Sequence, residues 1–246
     1  MSSKSGIALL SLIVAFYSCK TKAEQEKNNT VQDAFTEITE QRYVEGTRII
    51  SKEYPNIEIE VNDEFTYVGK FDFEIIASSD EYPEDIRGKA LAAGERLVFA
   101  VTDEHQNVEK LFIAQFEGFL DNNDFTYNYN FDNAAFIGNN KYRQNTWFYN
   151  SKKLAQESPR NEGALTRAFL EKKGYVLEDE FMMSRYVGLA SEDRKKEVIF
   201  FYLEMLKGVT GYNLNEYQNT LSKEKTTEIE RSLVERSKQS FSIVKG

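Results

Sequence analysis

The 246-residue sequence contains one cysteine, Cys19, one histidine, His105, and only three prolines. A single cysteine rules out an intramolecular disulfide, so the fold has to draw its stability from a buried core. A single histidine means that any Ser-His-Asp arrangement or histidine-based metal site must use His105. That residue sits in the polar segment Asp103-Glu104-His105-Gln106-Asn107, where a solvated turn imidazole is the simpler reading. The chain also lacks a GxSxG elbow, a Gly-rich phosphate loop and an HExxH pattern. No apolar run is long enough to span a bilayer. The strongest, Ile7 to Tyr17, is interrupted by Ser11 and would extend only about 16 Å as a helix.

Positive charge is in deficit, with 31 Lys and Arg against 40 Asp and Glu for a formal net charge of −9. Nucleic acid phosphates and anionic headgroups repel such a protein, so no nucleic acid partner is expected. Lys172-Lys173 and Lys195-Lys196 are short basic pairs close to acids and read as solvated faces. A calcium loop is excluded as well. Asp121, Asn123 and Asp132 fall at the first, third and twelfth places of an EF-hand register, but Phe125 and Thr126 stand where a ligand and a glycine are needed. No metal and no cofactor is expected.

What is present begins at the amino terminus. Lys4, the apolar run and the small Ser18 before Cys19 have the build of an export signal. The segment Ala15-Phe16-Tyr17-Ser18-Cys19 resembles the lipobox of bacterial lipoproteins, with Phe16 where an aliphatic residue is usual and Tyr17 where a small one is usual. The resemblance covers the leader alone. It implies cleavage before Cys19, diacylglycerol on the Cys19 sulfur and an acyl chain on its amine. One acyl chain holds a protein only marginally at about 0.8 kcal/mol per buried CH₂, whereas two or three hold it firmly. Because Lys20 rather than Asp follows the cysteine, the resemblance also implies the outer membrane in preference to the inner. Membrane association through Cys19 is therefore the first partner expectation.

Residues 1–18 then form the signal, 19–30 the lipidated cysteine and a tether, and 31–246 a single globular domain. The tether from Lys20 to Thr30 has no aromatic residue and cannot bury enough area to order itself. Extended, it reaches about 35 Å. After Val31 there is no repeat and no Gly/Pro-rich linker.

Within the domain, Val31, Phe35 and Ile38 predict a short helix behind Thr30, closed by Gly46. Alternation in Ile57, Ile59 and Val61, then Phe65 to Val68 and Phe71 to Ile76, predicts an antiparallel meander. Leu97 to Val101 and Leu111 to Leu120 bracket a polar turn as a hairpin, and Glu180 to Gly188 with Glu197 to Leu206 form another. The unbroken run Val198 to Leu203 predicts a central strand covered on both faces. Helices are expected after Ser158-Pro159 and from Leu214 through Ile229 and Leu233 to Val244, with Ser222 as a cap or kink. The fold class is α+β: a mainly antiparallel sheet covered by helices, including a long C-terminal helix.

One constellation stands out in the domain. Phe125, Tyr127, Tyr129 and Phe131 alternate with Thr126, Asn128 and Asn130, which predicts a strand with four aromatics on one face. These four, with Trp147 and Tyr149 nearby, are either core or the lining of a cleft for a sugar, an apolar ligand or a partner strand. No catalytic residue stands out. Paired acids could still hydrolyse a glycosidic bond, since two carboxylates suffice and their separation in space is invisible in a sequence. The reading is a lipid-anchored cell-envelope protein with a non-enzymatic binding or accessory domain. A carboxylate-dependent hydrolase of envelope polysaccharide and a structural subunit of an envelope complex are the two alternatives.

Overall fold

The computed structural model describes residues 41–132 and 134–246; the signal, Cys19, the tether and most of the helix expected behind Thr30 lie outside the described residues. Gly46, expected to end that helix, is instead the left-handed turn residue (φ 63°) of a hairpin between β1 (Arg42–Glu45) and β2 (Arg48–Ser51). β3 (Ile57–Val61) continues the meander. Its Ile57, Ile59 and Val61 are buried while Glu58 and Glu60 are only partly covered, as period two requires.

The next strands build a larger sheet. They are β4 (Thr66–Ile76), β5 (Ala90–Thr102), β6 (Val108–Phe119), β7 (Ala135–Ile137), β8 (Asn140–Asn150), β9 (Glu180–Leu189) and β10 (Lys196–Met205). Two expected strands merge into β4, and the Ala-rich stretch from Lys89 to Ala93 extends β5. The order is β4-β5-β6-β10-β9-β8-β7, antiparallel throughout. β10 lies mid-sheet between β6 and β9, and Val198 to Leu203 are buried on both faces.

Five helices complete the described residues: α1 (Ser151–Glu157), α2 (Glu162–Lys172), α3 (Leu206–Thr210), α4 (Leu214–Asn219) and α5 (Lys223–Gln239). Asn161, not Ser158, caps α2, its side chain accepting from the Gly163 amide at 2.8 Å; Ser158 instead ends α1. Ser222 caps α5. The helix does not run on to Val244. It stops at Ser240, and β11 (Phe241–Lys245) pairs with β3, giving a four-stranded sheet of order β1-β2-β3-β11. The physical reason is a change of period: Phe241 and Ile243 turn inward at a spacing of two. Among the described residues no helix is long and apolar enough to cross a membrane.

The molecule is thus α+β with two antiparallel sheets. One face of the large sheet meets the small one across a core of Ile49, Ile59, Val61, Phe112, Phe200 and Phe241, to which α5 adds Ile229 and Leu233. The Phe241 ring lies 4.9 Å from both Phe112 and Phe200. An ion pair joins the sheets at one side: Arg42 Nη1 reaches the fully buried Glu95 at 3.3 Å, and Lys70 Nζ reaches its other oxygen at 3.2 Å. The opposite face of the large sheet buries Val98, Ile113, Ile199 and Leu203 with Leu170 of α2.

Candidate functional site

That opposite face also carries an unusual share of charge. Period two on five adjacent strands places Arg96, Gln115, Glu117, Glu197, Arg185 and Asn145 on one side, and cross-strand register brings them together. Arg96 faces Gln115, Glu117 faces Glu197, and Arg185 faces Phe201 on one side and Asn145 on the other.

Arg96 is held by neutral acceptors. Its Nε donates to Gln115 Oε1 at 2.5 Å, and Nη1 donates to the Glu162 carbonyl at 2.9 Å and Thr166 Oγ1 at 2.7 Å at the start of α2. The guanidinium lies 4.8 Å from the Phe201 ring centre. Gln115 passes the network on, its Nε2 donating to Glu117 Oε2. Glu117 and Glu197 are 6% and 4% exposed. Burial raises both pKa values; that of Glu197 is pushed up to about 9, the neighbouring Glu117 charge adding to the effect. The two carboxyl groups therefore share a proton in a Glu117–Glu197 hydrogen bond.

Two tyrosines cap this pair. Tyr127 OH donates to Glu117 Oε1 at 3.0 Å and Tyr129 OH donates to Glu197 Oε2 at 2.9 Å. Burial, then the adjacent carboxylates, drives both phenols well above their usual range, so they stay protonated as donors.

Both tyrosines belong to a strap, residues 120–132, laid across the sheet. Phe125, Tyr127, Tyr129 and Phe131 are half-buried and alternate with exposed Thr126, Asn128 and Asn130, as the sequence pattern predicts. The segment is nevertheless not a strand. It is extended but joins no ladder. Arg194, at the left-handed tip of the β9–β10 hairpin, holds it instead. The Arg194 carbonyl accepts from the Tyr127 amide at 2.8 Å, while Nε and Nη2 donate to the Tyr127 and Tyr129 carbonyls, each at 2.9 Å.

The aromatics divide between two roles. Tyr127 packs 4.5 Å from Phe119, Phe125 lies 6.0 Å from Phe119, and Phe131 lies edge-on to Tyr129 at 5.5 Å. Tyr149 stacks on Phe181 at 6.0 Å beneath the surface. Trp147, by contrast, is 41% exposed, with the Arg185 guanidinium 5.5 Å from its ring centre. Beside it opens a pocket of about 590 Å³ lined by Asn128, Tyr129, Asn130, Asp132, Arg143, Gln144 and Asn145. Of the six predicted lining residues only Tyr129 is in that wall.

Sequence reasoning missed the charged half of the site. Glu117 and Gln115 interrupt the apolar run of β6, and Glu197 precedes that of β10, which are faint signals of a polar cluster. Their meeting depends on register between distant segments. Among the described residues there is no group of three or more His, Cys, Asp or Glu that could hold a metal ion. His105 lies in the β5–β6 turn with a 76% exposed side chain, and its contacts are within that loop. Protein-family models, curated proteins and solved structures were all compared with the chain, and none matches.

Proposed function

We propose that this chain is a bacterial lipoprotein anchored through Cys19, at the outer membrane rather than the inner, whose domain is a non-enzymatic binder of a saccharide. The observation that carries the binding half is the polar pocket lined by the strap and β8. Its lining offers amide donors and acceptors from Asn128, Asn130 and Asn145 to sugar hydroxyls, and the rings of Tyr129 and neighbouring Trp147 suit a pyranose face. An apolar ligand is disfavoured by that lining.

The hydrolase alternative is weaker. A glycosidase needs two carboxyl groups roughly 5 to 10 Å apart across an open cleft. Glu117 and Glu197 instead share a proton beneath Tyr127 and Tyr129. In this reading they brace the strap, and the helices covering the large sheet, α5 included, act as scaffold. The anchor half rests on the leader, with its small Ser18 and lone Cys19.

One preparation tests both halves: the mature protein extracted from bacterial membranes and titrated with oligosaccharides. Trp147 is the sole tryptophan and stands two residues from the wall residue Asn145 on the same face of β8, so its emission reports a ligand seated beside it. Saturable quenching by an oligosaccharide is expected, together with loss of Cys19→Ala from the membrane fraction. A Cys19→Ala protein that stays in the membranes at unchanged mass would refute the anchor, and a flat titration would refute the binder.

A further inference from the structure

The arginines around the pocket are out of keeping with an acidic protein, and none is neutralised by a salt bridge. Arg96, Arg143, Arg185 and Arg194 all lie on or beside this face, yet among the described residues none has a carboxylate within ion-pair distance. Arg96 and Arg194 are occupied with carbonyl, amide and hydroxyl oxygens. Arg185 is not so occupied. Its Nε is buried without a hydrogen-bond partner, which ordinarily costs a protein stability. Its guanidinium is flanked by the rings of Trp147 at 5.5 Å and Phe201 at 5.7 Å, so aromatic faces fix its plane.

Position links Arg185 to the pocket. It stands opposite Asn145, a wall residue, and Arg143, another wall residue, is its diagonal neighbour on the same sheet face. Diagonal partners have Cα atoms roughly 7 to 8 Å apart, close enough for two arginine side chains to converge on one group. Against these two charges the pocket wall holds a single carboxylate, Asp132. The buried glutamate pair, sharing one proton, adds one further negative charge near Arg185, so the four arginines on or beside this face still outnumber the negative charges.

We propose that Arg143 and Arg185 form an anion subsite at the end of this pocket, so that the saccharide it takes carries a carboxylate. The inference rests on the saccharide-binding reading above and names the class of sugar. A planar carboxylate matches the two parallel N–H donors of a guanidinium, and rings flanking Arg185 exclude water from that contact. Asn145 is placed to take a hydroxyl on an adjoining carbon, while Asp132 accepts from hydroxyls at the other side.

The test uses oligogalacturonate and its methyl ester as probes, added to the mature lipidated protein in detergent and followed by Trp147 emission and calorimetry. The acid is expected to bind about tenfold or more tightly than the ester, the typical margin of a charge-assisted contact. That margin should shrink as added salt screens the charges. Arg185→Gln and Arg143→Gln should each weaken the acid about tenfold and leave the ester unchanged. Arg143 is exposed, so Arg143→Gln keeps the test decisive even if Arg185→Gln fails to fold. Equal binding of acid and ester overturns the anion subsite while leaving the saccharide reading standing. Tighter binding of the acid that survives Arg143→Gln and a folded Arg185→Gln overturns the assignment to these arginines. Binding of neither probe overturns both.

Discussion

Glu117 and Glu197 face each other across β6 and β10 with almost no access to water, and two bare carboxylates so placed would repel strongly. Sharing a proton relieves that repulsion, and Gln115, Tyr127 and Tyr129 complete the hydrogen bonding. The arrangement makes stability depend on pH. A carboxyl whose pKa is higher in the folded chain than the usual unfolded value, about 4.3, binds its proton more tightly when folded. Its contribution is complete below that unfolded value and is lost as pH rises toward the folded value, about 9 for Glu197. Denaturant unfolding at pH 5.5 and pH 8.5 should show stability lower at the alkaline end by roughly 2–4 kcal/mol. In Glu197→Gln the amide can still donate to Glu117 and accept from Tyr129, so the slope across this window should largely vanish. A wild-type protein as stable at pH 8.5 as at pH 5.5 would show that the pair holds no shared proton.

The strap shows how an element can be half legible. Alternation from Phe125 to Phe131 reports burial on one side, and the segment is indeed buried on one side. Alternation does not report hydrogen bonding. The strap lies over the face of the sheet rather than beside an edge, so its backbone groups bond to Arg194 and not to a neighbouring strand. The hairpins β5–β6 and β9–β10 are legible because apolar runs bracket polar turns, a local pattern. β11 is hidden because five residues behind a 17-residue helix carry too few repeats to announce a new period. The charged cluster is hidden for a different reason, since Arg96, Glu117, Arg185 and Glu197 become neighbours only through register between segments far apart in sequence. Arg194→Ala removes both side-chain donors to the strap, at an expected cost of about 1–3 kcal/mol. Amides near Tyr127 and Tyr129 should then exchange faster with deuterium while those of β10 keep their protection. Unchanged exchange in the strap would mean that the tyrosine hydroxyls suffice to hold it.

At the scale of the molecule, the question is whether two sheets of different size unfold separately. The core between them argues against that, because its central residues come from both. Phe241 belongs to the small sheet, yet its ring lies 4.9 Å from Phe112 and Phe200 and 6.0 Å from Tyr186, all on the large one. The Arg42–Glu95 ion pair repeats this coupling at another point, with both side chains almost fully buried. Neither sheet can open without exposing apolar surface of the other, which is the condition for cooperative unfolding. Phe241→Ala should therefore cost about 3–5 kcal/mol, as truncation of a buried aromatic does, and should lower the stability of both sheets together. Tyr217 stacks on Phe148 at 3.9 Å, so near-ultraviolet circular dichroism can follow the large sheet at that pair. Exchange of the β2 and β3 amides follows the small sheet independently. The expected outcome is a single transition, displaced to lower denaturant by the same amount for both probes. Loss of β2 and β3 protection while the aromatic signal persists would instead show that the small sheet is a separate folding unit and that Phe241 only docks it.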